Sequence, residues 1–384
     1  MRGSVADLPL HSGHVPLWML KIMKRLAESV VRIIIEERGP GMFVRALSDP
    51  FWFQAFNNII GMDWDSSGST TVLIYILKDI SVKDDLGFLV FGGKGHDMVA
   101  IKDEVDSINK KLGNIDPMSL LNFSKISARS DSAFLLDGYD LYIHSLFISL
   151  EDRNAVTIQQ GMNLNTLMAR RYHVDKAALE EPHSGIFGLR ESNVVDVTSH
   201  KSRNARKVFI DILGEGEKRF VADLKAAYHI ANNGKTLYSF IYKDSITVDR
   251  RYYPVKPSKR LIAAVRRISE NPPSNDIELA LAPSMGPTLV RALALVSDVI
   301  YSVPVSREDP VSLTYDPFAY TYTIGGKDGV PYPFDSKTAR ELIEYLREAI
   351  ENAGVEGNIK KRSLKRLAML VKRHAGMLGI GGET

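Results

Sequence analysis

Tyr139-Asp140-Leu141-Tyr142-Ile143-His144-Ser145-Leu146-Phe147-Ile148-Ser149-Leu150, then Glu151-Asp152-Arg153, then Asn154-Ala155-Val156-Thr157-Ile158-Gln159-Gln160, reads as two β-strands joined by a tight turn. Both runs are rich in β-branched and aromatic residues, and three polar residues separate them. Just upstream, Leu86 to Phe91 reads as a strand running into Gly92-Gly93-Lys94-Gly95, and a helix is expected from about Asp97 to Leu112. Earlier still, Leu17, Leu20, Met23, Ala27, Val30 and Ile34 recur at helical spacing up to Gly39-Pro40, and a second short helix follows. Ser48-Asp49-Pro50 is a cap and proline start for a helix from Phe51 to Ile60, closed by Gly61. Thr70 to Ile80 fits either a helix or a strand.

After residue 200 the strand signals stop. Ser202–Tyr228, Ser258–Glu270, Asp276–Ile300, Ser336–Ala353 and Ile359–Leu378 all read as helices, broken by Asn271-Pro272-Pro273 and by a long loop from Tyr301 to Pro333. The expected class is α+β. A mixed domain with a β-hairpin and a polar cleft covers residues 1–200, and a mostly helical domain covers 201–384.

The chain of 384 residues, 45% hydrophobic and 25% charged, can bury a substantial core. It has no cysteine, so disulfides, cysteine-held zinc, iron–sulfur clusters and a thiol nucleophile are excluded. Its first long apolar stretch, Leu17 to Ile35, is broken by Lys21, Lys24, Arg25, Glu28 and Arg32. That is not the pattern of a signal peptide or a membrane span, and a cytoplasmic protein without membrane contact is expected. The net charge is only +3, so any case for nucleic acid rests on where the cations lie.

Leu279-Ala280-Leu281-Ala282-Pro283-Ser284-Met285-Gly286-Pro287-Thr288 leads into the run from Leu289 to Ala294. It resembles the helix-hairpin-helix of DNA-repair enzymes, in which a Pro-x-hydrophobic-Gly turn and the next helix grip one phosphate. A glycine lets the strand approach the backbone, and the amides at the start of the following helix face an anion. Met285, Gly286 and Thr288 would form that grip, although Ser284 stands at the usual first glycine. An ordinary helical corner is the plainer reading. Lys256, Lys259, Arg260, Arg266 and Arg267 lie nearby, and Lys360, Lys361, Arg362, Lys365, Arg366, Lys372 and Arg373 form a second basic run. Each suits phosphate contacts or, equally, a solvated face of a charge-rich, thermophile-like protein. Asp335 in Pro331-Tyr332-Pro333-Phe334-Asp335 echoes the aspartate that assists base excision in helix-hairpin-helix glycosylases, with a plain N-cap as its simpler role. The position of the Schiff-base lysine in the lyase members looks like Thr288.

Further motifs are Asp7-Leu8-Pro9-Leu10-His11, Ser48 to Ala55, the glycine loop at Gly92, Leu136-Asp137-Gly138-Tyr139-Asp140, Gln159-Gln160-Gly161-Met162-Asn163, Ala169-Arg170-Arg171-Tyr172-His173 and Gly325-Gly326-Lys327-Asp328-Gly329. Together they resemble the largely prokaryotic, often archaeal, domain-of-unknown-function family numbered 763. The resemblance spans nearly the whole chain and brings no assigned reaction.

The chemistry therefore has to come from the residues. Gly92 and Gly93 with Lys94 follow a strand and precede a helix, a setting for a phosphate grip. The spacing is not a Walker motif, so no nucleotide cofactor is expected. On the hairpin, Asp140, Tyr142 and His144 alternate onto one face, with Asp140 about 13 Å from His144. Asp137 and Asp140 are candidate ligands for Mg2+ or Mn2+, Arg170 and Arg171 candidate phosphate clamps, and His144 and His173 candidate proton carriers, with Gln160 beside them. Lys94 would neutralise a transition-state charge, and Lys327 and Arg266 would add backbone contacts.

The favoured function is a DNA-binding, DNA-processing protein, a metal-dependent nuclease acting in repair or recombination on DNA rather than RNA. The alternatives are glycosylase-like base excision, a non-enzymatic nucleic-acid-binding module and a small-molecule enzyme. No Asp…Glu-x-Lys nuclease string is present.

Overall fold

A computed structural model describes residues 8, 10, 15–62, 67–83, 85–108, 112–192, 194–233, 257–312 and 335–351, without the side chains of 231–233 and 345–351. The fold is α+β. Packing divides the chain into two interleaved units: Met1–Phe91 with Phe147–Ala155 and Thr314–Thr384, and Gly92–Leu146 with Val156–Leu313. Residue 200, where the sequence places a boundary, lies inside the second unit.

In the first unit, α1 (Leu17–Ala46), α2 (Pro50–Ile60), α3 (Ser67–Lys83) and α12 (Ser336–Glu351) pack together. The expected break at Gly39-Pro40 is present as a kink inside α1. Gly39 takes φ 77°, ψ 160°, a conformation open to glycine, and the helix resumes at once. Asp49 caps α2 by accepting from the amides of Phe51 and Trp52, and Gly61 closes it with φ 92°. Thr70–Ile80 proves to be helix, within α3. Phe43 anchors the core, its ring 6.0 Å from Trp52, 6.4 Å from Phe56 and 5.0 Å from Phe88.

The sheet has five strands in the order β1-β3-β4-β5-β6: β1 (Phe88–Lys94), β3 (Asp140–Ser149), β4 (Ala155–Asn163), β5 (Met168–Val174) and β6 (His183–Phe187). The hairpin read from the sequence is β3–β4, and its strands end within three residues of the expected limits. β2 (Leu135–Leu136) pairs with β7 (Val195–Asp196) apart from it. The single helix expected over Asp97–Leu112 is two short ones, α4 (His96–Val99) and α5 (Ile101–Ser107). α6 (Pro117–Arg129) runs into one π-helical turn, Ser130–Phe134.

The rest of the second unit is helical: α7 (Arg203–Glu215), α8 (Glu217–Asn233), α9 (Lys259–Ser269), α10 (Asp276–Leu281) and α11 (Pro287–Val299). Gly216, at φ 90°, splits the long helix expected over Ser202–Tyr228. The Ile359–Leu378 helix lies outside the described residues. One apolar core joins Phe134, Val195 and Val197 to Phe209, Ile212, Leu224, Val265 and Leu293, so residues on either side of 200 share it.

Arg206 fastens that core. With its side chain fully buried, it bonds Asp276 on α10 at 2.7 Å, the carbonyls of Val197 and Ser199 at 2.8 Å each, and Glu180. Removing the guanidinium leaves the Val197 and Ser199 carbonyls and the partly exposed Glu180 and Asp276 carboxylates without their shared donor. Arg206→Ala is expected to lower stability by about 3–5 kcal/mol, read as the shift in urea midpoint at constant slope.

Candidate functional site

The site is built on α6 and the face of the sheet that turns toward it. Asp116 starts α6, accepting from the amides of Met118 (3.2 Å) and Ser119 (2.9 Å) with Pro117 at the first position. At helical spacing, Ser124, Ser127 and, one turn on, Asp131 fall on one side. The sheet presents matching partners at period two.

His144 on β3 is buried between two of them. Its Nε2 lies 2.8 Å from the Ser124 hydroxyl, and its Nδ1 lies 2.8 Å from Gln159 Oε1 on β4. The Gln159 amide nitrogen donates to the Ser127 carbonyl at 3.0 Å and to Asp131. Asp131 in turn meets His183 Nε2 of β6 at 2.5 Å. Burial pushes the His144 imidazole down to about 4. Burial also opposes the charge on His183, but the facing Asp131 carboxylate outweighs it and raises that imidazole.

A second buried group sits beside this row. Arg170 of β5, with no exposed side-chain surface, forms an ion pair with Asp137 at 2.9 Å and a two-pronged one with Asp309 at 3.1 and 2.8 Å, and also reaches the Leu189 carbonyl. Tyr172 donates to the same Asp137 oxygen at 2.7 Å, and the Tyr139 amide donates to the other at 3.1 Å. The Tyr139 ring lies under the Arg170 guanidinium at 4.7 Å. Gly161 makes room, since a Cβ there would stand 2.8 Å from the Tyr139 Cβ. Burial raises Asp137 to about 6 despite these partners.

The sequence-named residues thus separate into groups. Asp137, His144, Arg170, Arg171 and His173 are all buried, whereas Lys94 and Asp140 are exposed. Arg171 faces the opposite side of β5 from Arg170, its guanidinium 5.5 Å from the Phe187 ring. Gln160 donates to the Tyr142 hydroxyl, and Lys94 stands 5.7 Å from the Tyr142 ring centre. Gly92 and Gly93 adopt φ 78° and 148°, and the Gly92 amide donates to Glu104 at 2.8 Å. The Asp137 oxygens face Arg170, Tyr172 and a backbone amide rather than Asp140. Among the described residues no cluster of three His, Asp or Glu is placed to hold a metal ion.

The hairpin between α10 and α11 is a separate feature of the same unit. Arg129 of α6 donates to the carbonyls of Ala280 (2.5 Å) and Ala282 (2.7 Å), and Lys125 to that of Leu281 (3.3 Å), so α6 holds the end of α10. Ser284 takes the left-handed φ of 59°, and Gly286 is extended at φ −150°. A Cβ on Gly286 would meet nothing within 4 Å. Met285 is buried and Thr288 exposed. Among the described residues no acceptor reaches the amides of Gly286, Thr288 or Leu289. Arg267 donates to Ser284 Oγ at 3.1 Å, but Arg266 is paired with Glu217 at 2.5 and 3.0 Å. Arg291 lies one turn into α11, its Nε shut off from solvent without a partner among the described residues. Asp335 belongs to the first unit, where it caps α12 by accepting from the amides of Lys337 and Thr338 at 3.0 Å each. Lys256, Lys327, Lys365 and Arg366 lie outside the described residues.

Sequence reading missed Ser124, Ser127, Asp131, His183, Asp309, Arg129 and Arg291. One signal was available: Asp116-Pro117 has the same cap-and-proline form as Asp49-Pro50 and announces α6.

An α+β protein whose sheet buries a row of hydrogen-bonded polar groups beside a helical hairpin is the class these features define. The chain belongs to the family described as protein of unknown function, DUF763, which it matches over residues 4–334. No curated protein and no solved structure matches it. No helix among the described residues is long and apolar enough to cross a membrane.

The buried imidazole fixes an acid response. His144 takes up its proton near pH 4 in the folded chain and near 6.5 when unfolded. As pH falls from 6.5 toward 4, the unfolded chain gains a proton that the folded one refuses, and stability is lost over that window. The loss should approach about 3 kcal/mol at pH 4. Asp137, raised by burial to about 6, acts in the opposite sense below that pH, so the His144 share is read as a difference: in urea unfolding from pH 7 to 4 the wild type should lose about 3 kcal/mol more than His144→Gln.

Proposed function

We propose that this protein binds the sugar–phosphate backbone of nucleic acid, DNA in preference to RNA, through the hairpin between α10 and α11, and serves in DNA processing. The observation that carries this reading is the group of amides at Gly286, Thr288 and Leu289, without protein acceptors among the described residues, at the positive end of a 13-residue helix. Arg291 strengthens it. A half-buried guanidinium without an acid among the described residues is costly unless an anion meets it, and helical side chains lean toward the N-terminus. Arg267, tied among the described residues to the Ser284 hydroxyl alone, adds a second cation at the hairpin. The open space at Gly286 gives a strand room to approach.

In the processing role, metal-dependent cleavage with Mg2+ or Mn2+ is the activity proposed. Lys94 and Asp140 are exposed on the sheet and able to meet a substrate directly.

Gly286→Val tests the binding. The extended backbone and empty surroundings accept a β-branched side chain, so stability should stay within about 0.5 kcal/mol. Affinity for a labelled duplex should fall on the order of tenfold, because the new methyls occupy the phosphate position. Arg267→Ala should reduce the slope of log K against log salt by about 1. Unchanged affinity in both proteins would remove the hairpin from the interface. DNA incubated with Mg2+ or Mn2+ should be cut by the wild type and spared by Lys94→Ala and Asp140→Ala. Intact DNA with the wild type would leave a binding module.

A further inference from the structure

We infer that Ser124 is a nucleophile, activated by His144, and that the second unit hydrolyses a carboxylic ester. The inference joins His144 to Ser124, Gln159 and Asp131, which the nucleic-acid reading does not use, and it follows from the direction of each hydrogen bond in one row.

The direction is set at the far end. The Ser127 carbonyl can only accept, so the end of Gln159 lying 3.0 Å from it is the amide nitrogen. Asp131 holds the same nitrogen. The other end, Oε1, therefore faces His144 Nδ1 at 2.8 Å, and because Oε1 only accepts, Nδ1 carries the hydrogen. Nε2 is left with its lone pair, and the Ser124 hydroxyl, 2.8 Å away, must donate to it. Nucleophile, base and orienting group thus stand in hydrogen-bonding sequence, the arrangement that makes a serine oxygen reactive. The imidazole is neutral at pH 7, held so by burial, and is free to take the proton.

Neighbouring serines show that this is not the default on α6. Ser127 and Ser130 turn their hydroxyls back to carbonyls four residues earlier, Phe123 and Ile126, and have no exposed surface. Ser124 gives its proton across to the sheet and keeps 6% of its surface open. Among the described residues no donor reaches its oxygen, so its lone pairs are uncommitted.

The electrophile follows from the charges. Ser124, His144 and Gln159 are neutral, and the cations carried on the same helix, Lys125 and Arg129, are committed to the carbonyls of α10. A phosphodiester would need cations for its anionic oxygens, whereas a neutral ester carbonyl does not. Ser124 Oγ adds to the carbonyl carbon as its proton passes to His144 Nε2. The tetrahedral adduct then expels the alcohol, which leaves with that proton, and an acyl-serine remains. Water, deprotonated by Nε2, adds to the acyl carbon and releases the carboxylic acid and free Ser124. Gln159 and Asp131 are positioning residues: they hold the tautomer, and the Asp131 carboxylate favours the transient imidazolium through the amide.

The test is labelling of the full chain by a fluorophosphonate at pH 7.5, with the modified peptide located by mass spectrometry and p-nitrophenyl acetate and butyrate hydrolysis followed in parallel. An adduct on Ser124 is expected, absent in Ser124→Ala and slowed on the order of a hundredfold or more in His144→Gln. Asp131→Asn should slow labelling less and shift its pH profile, an effect that loss of packing alone would not give. Circular dichroism establishes that each variant is folded. The absence of an adduct on Ser124 in folded wild type, with ester turnover equal to that of Ser124→Ala, overturns the inference. So does an adduct that forms at the wild-type rate in His144→Gln.

Discussion

A sheet that turns His144, Gln159, Arg170 and Tyr172 inward can be covered only by an element that meets each of their polar groups. Every buried donor or acceptor left without a partner costs about 1–3 kcal/mol, and a bare charge costs more. An ordinary amphipathic helix with a leucine stripe could not lie on that face. α6 meets His144 and Gln159, because the Ser124 hydroxyl, the Ser127 carbonyl and the carboxylate of Asp131 just beyond the helix stand where a covering helix normally presents apolar side chains. The Arg170 charge is handled in the same way, by two carboxylates drawn from segments far apart in sequence, Asp137 and Asp309. The chain segments at 131, 137, 183 and 309 are brought together by the need to pair these groups as much as by apolar burial.

The same helix reaches the other feature of the unit. Ser124 and Asp131 face the sheet, while Lys125 and Arg129, on another side of α6, bind the carbonyls that end α10. A helix C-terminus carries partial negative charge, so cations there are favourable, and they fix where the following hairpin begins. The Ser124–His144–Gln159 row and the hairpin thus both rest on α6. Movement of α6 toward either would be felt at the other, which is a physical basis for linking events at the two places.

Local pattern made the β3–β4 hairpin and the helical pair around Gly286 legible, because their signals lie within a few residues of one another. Strand β5 and its partner β6 were not read, and the reason is visible in Ala169-Arg170-Arg171-Tyr172-His173. Charged residues that look like a loop or a clamp are buried on both faces of a strand, and the acids that pair with Arg170, Asp137 and Asp309, lie 33 and 139 residues away. Adjacent arginines also point to opposite sides, so Arg170 and Arg171 could not act together as one phosphate clamp. Asp137 and Asp140, three residues apart, part in the same way, one locked under Arg170 and the other in solvent. Pairing over 28 residues for Gln159 with Asp131, and 52 for His183 with Asp131, leaves no local trace.

Charge is a matter of what remains after such pairing. The chain's net +3 says little, since Arg170, Arg206 and Arg266 each face acids and exert a weak field on anything outside. At the hairpin the situation is reversed. Arg267 meets a hydroxyl, Arg291 meets no acid among the described residues, and the start of α11 adds its own positive end. Backbone conformation bears on the hairpin as well. Ser284, not Gly286, bears the left-handed turn, so the glycine is not required by its dihedral angles. What its missing side chain provides is open surface beside amides that no acceptor reaches among the described residues, which is the feature the proposed phosphate contact rests on.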